Sequence, residues 1–206
     1  MSVVICTRRR PHLLPRSVAA VLAQELDEPF EVVVVNDDDE PLRCRLPDDH
    51  RLVVLSGRRL GLCAAHNVGI EAARAPIIAF TDDDCYLDEN YYQALRVQFA
   101  EPRQFHYGMG QILLYDETDD RRIANAWFKR MAVIKPGTAL PTGTFQGANI
   151  FFLREVFEKA GKFRDDMGSG TPFPCEDIEF GTRCSLAGFT GVFTPLVKVF
   201  HHHGRK

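Results

Sequence analysis

Hydrophobic runs and polar breaks alternate regularly through the first half of the chain. Short apolar runs bounded by polar residues predict buried strands, and longer stretches with apolar positions three and four apart predict helices. The strands are predicted at 2–6, 31–35, 51–55 and 77–81, and the helices at 11–24, 61–74 and 88–99. Strands that alternate with helices of this length predict an α/β fold with a mostly parallel sheet covered on both faces.

The pattern is less regular after residue 102. Strands are predicted at 107–115, 146–153 and 191–200, and helices at 154–160 and 176–187, the latter ended by Gly188. Residues 167–174 contain two glycines and two prolines, which predict a loop. We find no repeat and no low-complexity linker, so we expect one domain, 1–206, with a regular half (1–100) and a less regular half (101–206).

Composition narrows the class of protein. Hydrophobic residues make up 45% of the 206 residues and charged residues 26%, as in ordinary soluble domains. The net charge of −3 indicates no general attraction to nucleic acid. No apolar run approaches the roughly 20 residues that cross a bilayer, and the N-terminus lacks the layout of a signal peptide. Six scattered cysteines without a Cys-x-x-Cys pair favour free thiols in a reducing cytoplasm.

Three consecutive carboxylates follow the predicted strand at 77–81. Asp82, Asp83 and Asp84 repel one another unless they face water or hold a cation. Hard divalent cations such as Mg²⁺ prefer carboxylate oxygens and usually share their coordination with phosphates. The triplet therefore predicts a metal–diphosphate site, with a solvated acidic turn that caps the next helix as the alternative.

Charged residues also follow two other strands of the predicted sheet. The first strand ends in residues 7–10, Thr-Arg-Arg-Arg, and the second in 36–39, Asn-Asp-Asp-Asp. Ligands of open parallel sheets bind beyond the carboxyl ends of the strands, so we expect a phosphate-bearing nucleotide and a bridging metal there. The Rossmann glycine fingerprint and the P-loop are both absent, which argues against dinucleotide oxidoreductases and P-loop phosphotransferases.

The ordered set of motifs resembles the family-two glycosyltransferases of the GT-A fold. The matching segments are Ser-Val-Val-Ile-Cys-Thr-Arg-Arg-Arg-Pro (2–11), Glu-Val-Val-Val-Val-Asn-Asp-Asp-Asp (31–39), Gly-Leu-Cys-Ala-Ala-His-Asn-Val-Gly (61–69), Phe-Thr-Asp-Asp-Asp (80–84), Gln-Gly-Ala-Asn (146–149), Gly-Lys-Phe (161–163) and the stretch 175–189 from Cys-Glu-Asp to Ala-Gly-Phe. The resemblance implies a GT-A-type Rossmann-like sheet flanked by helices, with a nucleotide-sugar half at 1–100 and an acceptor half with the catalytic base at 101–206.

The resemblance also implies an activity and its participants. The family moves a sugar from a nucleoside diphosphate, here a UDP-sugar by preference, to a hydroxyl acceptor with inversion. The acceptor class is a glycan, a lipid-linked sugar or a small molecule. The implied cofactor is Mg²⁺ or Mn²⁺. The expected location is cytoplasmic, with peripheral contact at the inner face of a membrane left open.

The resemblance to the family also implies roles for individual residues, according to their positions in the matching segments. Asp177 resembles the catalytic base, with Glu176 in reserve, although Asp177 also fits a helix cap. Asp84 and Asp82 resemble the outer pair of the Asp-x-Asp motif, and Asp84 is the expected direct metal ligand. The residues expected to bind the donor are Thr7, Arg10, Asp37, Gly61, Asn67, Asp82 and Asp83. Among them, Asp37 resembles the aspartate that hydrogen-bonds the nucleobase. The histidines proposed near the metal are His201 and His203, because strand alternation puts these two on one side of the strand and His202 on the other.

Several features leave alternatives open. His66 stands where Arg or Lys is common, which would weaken a diphosphate contact or make it pH-dependent. Arg10 and Arg183 are each interpreted in two ways, as a residue that assists departure of the diphosphate or as a surface arginine. A sugar-nucleotide nucleotidyltransferase and a non-catalytic sugar-nucleotide or glycan-binding module are the alternative functions.

Overall fold

A mixed nine-stranded sheet forms the centre of the fold. The computed structural model describes residues 1–56, 58–123 and 126–206. Its strands are β1 Ser2–Thr7, β2 Glu31–Asn36, β3 Leu52–Ser56, β4 Ile77–Asp82, β5 Cys85–Leu87, β6 Tyr107–Leu114, β7 Ala132–Ile134, β8 Asn149–Leu153 and β9 Gly191–His201. Their order is β3-β2-β1-β4-β8-β6-β9-β5, and β7 pairs with β9 outside this path.

The first four strands form a parallel sheet whose carboxyl ends lie together. β1 pairs in parallel with both β2 and β4, and β2 pairs in parallel with β3. Thr7 is the register partner of Asn36, and Cys6 is the register partner of Asp82. The charged residues that follow these strands therefore meet at one edge, as the sequence predicted.

The later strands extend the sheet with mixed directions. β8 is antiparallel to β4 and β6, β6 is parallel to β9, and β5 and β7 are antiparallel to β9. The expected α/β fold is confirmed. The two shortest strands, β5 and β7, were not predicted, because three-residue segments carry too little periodicity to distinguish them from a loop.

Five helices pack beside the sheet: α1 Leu14–Leu22, α2 Leu62–Ala72, α3 Tyr91–Gln98, α4 Arg154–Ala160 and α5 Glu176–Leu186. Two of them begin later than the sequence predicted. The residues after Arg10 form a turn, in which the Leu13 amide donates to the Arg10 carbonyl, before α1 begins. Before α3, the Asp88 carboxylate accepts the Asn90 amide at 3.0 Å, which ends the preceding strand in a turn. No helix in the described part of the chain has the length and apolar character to span a bilayer.

An aromatic cluster joins the two halves under the sheet. The Phe80 and Phe163 ring centroids lie 5.5 Å apart, and those of Phe163 and Phe180 lie 4.5 Å apart. His66 on α2 belongs to this cluster, with its ring centroid 5.0 Å from those of both Phe80 and Phe163. Burial lowers the pKa of His66 to about 4, and its Nδ1 has no hydrogen-bond partner among the described residues. The expectation of a pH-dependent diphosphate contact at His66 is therefore wrong, because its side chain fills the core. The other expectation, a weakened diphosphate contact at this position, is compatible with the burial of His66.

The buried His66 makes the stability of the fold depend on pH. Its pKa is about 4 in the folded chain and 6.5 in the unfolded chain, so the unfolded chain binds the extra proton between these values. The associated stability is complete above pH 6.5 and falls as the pH drops towards 4. When the pH drops from 7.5 to 5, we expect the free energy of unfolding to fall by about 2 kcal/mol more in wild type than in His66→Leu.

Urea unfolding of both proteins at the two pH values measures this term. His106→Leu is the control, because that half-buried histidine lies outside the cluster. A pH dependence that is identical in wild type and His66→Leu would contradict the buried neutral imidazole.

Candidate active site

The acidic triplet at the end of β4 sends its side chains in two directions. Asp83 turns back towards β1, where its Oδ2 accepts the Thr7 hydroxyl at 2.6 Å. The Arg10 guanidinium bridges the triplet, with Nη1 3.0 Å from Asp83 Oδ1 and 2.7 Å from Asp84 Oδ2. Asp83 is thus held by β1 and the residues after it, which leaves Asp82 and Asp84 as the outer pair.

The outer pair meets the end of β9. The Asp84 carbonyl accepts the His202 amide at 2.8 Å, and Cys85 is the register partner of His201 in the β5–β9 ladder. This pairing places His201 Nε2 3.3 Å from Asp84 Oδ1. One ligand atom from each of Asp82, Asp84, Cys85 and His201 lies within 4.8 Å of the others.

Electrostatics favour a cation among these groups. Burial, with Asp84 as its neighbour, raises the pKa of Asp82 to about 7. Burial alone would also raise the pKa of Asp84, but His201 and Arg10 hold that pKa below its usual value. Burial keeps the pKa of the Cys85 thiol well above its normal range, so this sulfur stays protonated. The carboxylates and the imidazole therefore fit a divalent cation, and the residues present are compatible with Mg²⁺ or Mn²⁺.

A polar cavity opens beside this group. It has a volume of about 300 Å³ and is lined by Cys6, Thr7, Arg8, Arg10, Asp37, Gly61, Leu62, Asp82, Asp83 and Ser169. The Asp37 carboxylate accepts the Gly61 amide at 3.1 Å, which joins the end of β2 to the start of α2. Gly61 has φ +98°, a conformation that glycine adopts without strain. Six of the seven predicted donor-binding residues line this cavity: Thr7, Arg10, Asp37, Gly61, Asp82 and Asp83.

A second cavity adjoins the first through Thr7 and Arg10. Its volume is about 420 Å³, and Arg9 and Asp38 line it. The two side chains form an ion pair in which Arg9 Nε lies 2.6 Å from Asp38 Oδ2. This ion pair joins the residues that follow β1 to those that follow β2.

The loop at 167–174 reaches the first cavity. Ser169 lines it, and a Cβ at Gly168 would lie 3.1 Å from the Cys63 sulfur on α2. Gly168 and Gly170 both have positive φ, at +108° and +90°. Ser169 lies between these two glycines, in the segment that the sequence predicted to be a loop.

The first turn of α5 carries the predicted catalytic carboxylates. Asp177 is the second residue of α5; its Oδ2 accepts the Gly147 amide at 3.0 Å and its Oδ1 accepts the Ile178 amide at 2.7 Å. The helix-cap position itself is Cys175, and no side chain caps the helix there. Burial raises the pKa of both Asp177 and Glu176. Asp177 therefore anchors the loop before β8 as well as the helix.

Three predicted residues have other partners. The Asn67 side-chain amide donates to the Phe163 carbonyl and accepts the Phe163 backbone amide, and it also donates to the Asp165 carboxylate at 2.8 Å. Asn67 does not line the donor cavity. His203 shares its side of the strand end with His201, at 5.3 Å between centroids, but its Nδ1 lies 3.9 Å from Asp119, outside the group around Asp84. Arg183 is paired with Glu179 at 2.7 Å and donates to the Ala160 carbonyl, so it has a structural role.

Sequence comparison decides the family. The family described as "Glycosyl transferase family 2" matches residues 2–161, which include β1, the acidic triplet and β8. The chain belongs to glycosyl transferase family 2. This membership supports a transferase and argues against the nucleotidyltransferase alternative.

Two curated relatives of this family 2 chain are similar over different lengths. It is 26% identical over 127 residues to "Uncharacterized glycosyltransferase EpsJ" of Bacillus subtilis, covering 59% of the chain and 36% of the relative. It is 27% identical over 221 residues to "Validoxylamine A glucosyltransferase" of Streptomyces hygroscopicus subsp. limoneus, covering 91% of the chain and 48% of the relative. The chain thus spans less than half the length of these relatives.

Solved structures confirm the GT-A fold of the family 2 chain. TarS 1-349 of S. aureus superposes with a TM-score of 0.70 at 18% identity, covering 98% of this chain and 60% of that one. GalNAc-T7, solved with UDP, GalNAc and Mn²⁺, gives 0.72 at 16% identity over 100% of this chain and 44% of that one. The mannosyltransferase PcManGT of Pyrobaculum calidifontis, solved with GDP-Man and Mn²⁺, gives 0.64 at 19% identity, covering 97% and 56%.

The fold should become less stable when the ion pairs of Arg10 with Asp83 and Asp84 are removed. Arg10→Met leaves two buried carboxylates without their cation, and breaking such a pair is destabilising. Because the Arg10 side chain is 48% exposed, solvent screening reduces the effect. We expect the free energy of unfolding to fall by about 1–2 kcal/mol in urea with EDTA.

Arg43→Met is the matched control, because Arg43 and its partner Glu40 are both exposed and lie 3.6 Å apart. Its loss should cost less than about 0.5 kcal/mol. Equal stabilities of the two variants would show that Arg10 does not offset the charge of the triplet.

Proposed function

We propose that the protein transfers a sugar from a nucleoside-diphosphate sugar to a hydroxyl acceptor, with inversion at the anomeric carbon and with a divalent cation. The observation that carries this proposal is the group formed by Asp82, Asp84 and His201. Asp82 also lines a polar cavity, together with Asp37 and Arg10. Membership of glycosyl transferase family 2 supports the reaction class.

The donor cavity has groups for each part of a nucleotide sugar. The Asp37 carboxylate, oriented by the Gly61 amide, is proposed to accept a hydrogen bond from the base, for which we favour uracil. The Arg10 guanidinium is proposed to contact the diphosphate when the donor replaces its present carboxylate partners. Thr7 and Asp83 form the hydrogen-bonded support of this arrangement. UDP in one structural relative and GDP-Man in another are the precedents for such a donor.

Asp84, Asp82 and His201 are the residues that would hold Mg²⁺ or Mn²⁺. When bound, the cation would offset negative charge that develops on the departing diphosphate. Mn²⁺ in GalNAc-T7 and in PcManGT supports this choice of cofactor. The chain's own contribution is the pair Asp82 and Asp84: Arg10 and His201 already favour the ionised form of Asp84, and a cation beside Asp82 would favour its ionised form as well.

The acceptor side is assigned to the first turn of α5. Asp177 is proposed to accept the proton of an acceptor hydroxyl whose oxygen forms a bond to the anomeric carbon. The bond from that carbon to the donor phosphate breaks, and its electron pair leaves on the diphosphate. Burial and the helix N-terminus act in opposite directions on the Asp177 carboxylate, which keeps a base available in a partly dry site. Glu176 is the reserve candidate.

The loop at 167–174 is proposed to close over the bound donor. Ser169 already lines the cavity, and the positive φ of Gly168 and Gly170 provides hinges on both sides of it. Closure would exclude water that otherwise hydrolyses the donor. Lipid-linked sugars, glycans and small molecules all remain acceptor classes for this site.

Thermal shift and calorimetry against nucleoside diphosphates and nucleotide sugars test the donor assignment. Release of a nucleoside diphosphate with a panel of acceptors, or slow donor hydrolysis without one, tests catalysis. Donor binding without either reaction would favour a non-catalytic sugar-nucleotide-binding module.

Donor binding should depend on the cation through Asp84. We expect Asp84→Asn to remove most of the additional affinity for UDP that Mn²⁺ provides, at least about tenfold, because an anionic ligand of the cation is replaced by a neutral amide. Asp39→Asn is the control, since Asp39 is an exposed carboxylate at the same sheet edge, paired only at 3.8 Å with Arg59. Calorimetric titration with UDP, in Mn²⁺ and in EDTA, measures both. UDP affinity that EDTA leaves unchanged in wild type would overturn the metal assignment.

Catalysis should depend on Asp177 through the chemical step. We expect Asp177→Asn to lower kcat by about 10²–10⁴-fold while the UDP affinity stays unchanged, because a general base acts only in turnover. Asn can accept only one of the two backbone amides that bond Asp177, so a purely structural role would appear as a loss of about 1 kcal/mol in the free energy of unfolding with turnover retained. Steady-state kinetics with Glu176→Gln as the paired variant separates the two carboxylates. Near-normal turnover of Asp177→Asn would move the role of base elsewhere.

A further inference from the structure

An exposed aromatic and aliphatic surface lies on the segment Trp127–Val133. Trp127 is 61% exposed, Met131 42% and Val133 55%. Trp127 is the only tryptophan of the chain. Large exposed apolar patches on a protein mark sites of interaction with other proteins or with membranes.

The exposure of Trp127 is fixed by its neighbours. Ala126 is buried and exchanges backbone hydrogen bonds with Ile112 at 2.9 and 3.0 Å. Phe128 packs its ring 5.4 Å from that of Phe193 on β9. Because Ala126 bonds β6 and Phe128 packs against β9, the exposed indole between them lies beside these two strands.

The two charged residues of the Trp127–Val133 segment, Lys129 and Arg130, are both basic. Residues 121–153 contain five of the chain's 25 basic residues and none of its 28 acidic residues, although the whole chain has a net charge of −3. Lys129 Nζ lies 5.7 Å from the Trp127 ring centroid. The side chains of Lys129 and Arg130 are exposed and form no ion pair with any residue that the structure describes. The surface therefore combines cationic groups with exposed apolar ones.

This surface adjoins the catalytic edge of the sheet. Trp127 shares a cavity of about 360 Å³ with Leu113 and Leu114, which also has Glu117 and Arg121 in its wall. Leu114 is the register partner of His201 in the β6–β9 ladder. A partner that covers Trp127 would thus lie next to the metal-binding end of β9.

We propose that the Trp127–Val133 surface docks the protein on a membrane that contains anionic lipids. Tryptophan and basic residues are the side chains that favour the headgroup region, where the indole and aliphatic groups reach the acyl boundary and the cations meet anionic headgroups. A soluble polyanion would use Lys129 and Arg130 but would leave Met131 and Val133 in water, so the observations favour a bilayer. This inference stands independently of the donor assignment.

The single tryptophan provides the readout. The wild-type protein is mixed with vesicles of phosphatidylcholine, with and without phosphatidylglycerol, at low and moderate salt. We expect a blue shift of Trp127 emission and quenching by bromine-labelled lipids only with the anionic vesicles. Cosedimentation with the same vesicles gives the affinity without relying on fluorescence.

Matched variants locate the contact. Lys129→Gln with Arg130→Gln should weaken vesicle binding by about 30-fold, since each basic residue near an anionic surface contributes roughly 1 kcal/mol. Trp127→Ala should weaken it further in cosedimentation. Lys159→Gln is the control, because Lys159 lies 5.1 Å from the centroid of the Phe189 ring on another face and should leave binding unchanged. Unchanged thermal unfolding confirms that each variant is folded.

Three outcomes would overturn the proposal. One is absence of wild-type binding to anionic vesicles at low salt. Another is equal weakening by Lys159→Gln and by the double variant, which would indicate general charge attraction. In the third, vesicles cause no blue shift, but Trp127 or Lys129 is needed for another interaction. If that interaction is with soluble polyphosphate, the surface binds a polyanionic polymer. If it is self-association in sedimentation velocity, the surface binds a second copy of the chain.

Discussion

Three adjacent carboxylates at the end of a buried strand are the constraint on which the site depends. Asp82 ends β4, while Asp83 and Asp84 lie in the turn that follows it, so three carboxylates crowd one end of the strand. The structure relieves their repulsion with partners from two distant parts of the chain. Thr7 and Arg10 hold Asp83 from the end of β1, Arg10 also pairs with Asp84, and His201 approaches Asp84 from the end of β9. Burial beside Asp84 raises the pKa of Asp82 to about 7, so a further cation on this side of the triplet would favour its ionised form.

The irregular second half has a clear physical task in this arrangement, because it delivers His201 and α5 to the edge of the parallel sheet. β9 reaches that edge by packing closely along β6 around a shift of register between Met109 and Gln111. A Cβ at Gly110 would lie only 2.2 Å from the Val197 carbonyl oxygen, so this approach requires glycine. The Asn149 amide then bonds the carbonyls of Gln111 and Val197 at 2.8 and 3.2 Å, which ties β8 to both strands. The core of the second half is thus polar where the strands meet.

The sequence predicted most of this fold because hydrophobic periodicity is local, and the strand ends that carry the acidic and basic residues follow from it. It did not predict which residues meet across the sheet. His201 and His203 have equal local signals, and only the pairing of β5 with β9 brings the first to Asp84 while the second turns to Asp119. Asn67 lies in a motif of the family, yet its amide is used to hold the backbone of Phe163. His66 looked like a substituted cation and proved to be a core ring, because the aromatic cluster around it depends on residues almost a hundred positions away.

The two interpretations of Asp177, structural anchor and general base, describe the same hydrogen bonds. The Gly147 and Ile178 amides that bind its two oxygens stabilise the ionised form, which is the form that accepts a proton. Burial opposes them and raises the pKa, which makes the carboxylate a stronger base than an exposed one. Because Gly147 belongs to the Gln-Gly-Ala-Asn segment that leads into β8, this segment helps to fix the orientation of Asp177. The α5 end of the site therefore gains a defined carboxylate from the same backbone contacts that attach the helix to the sheet.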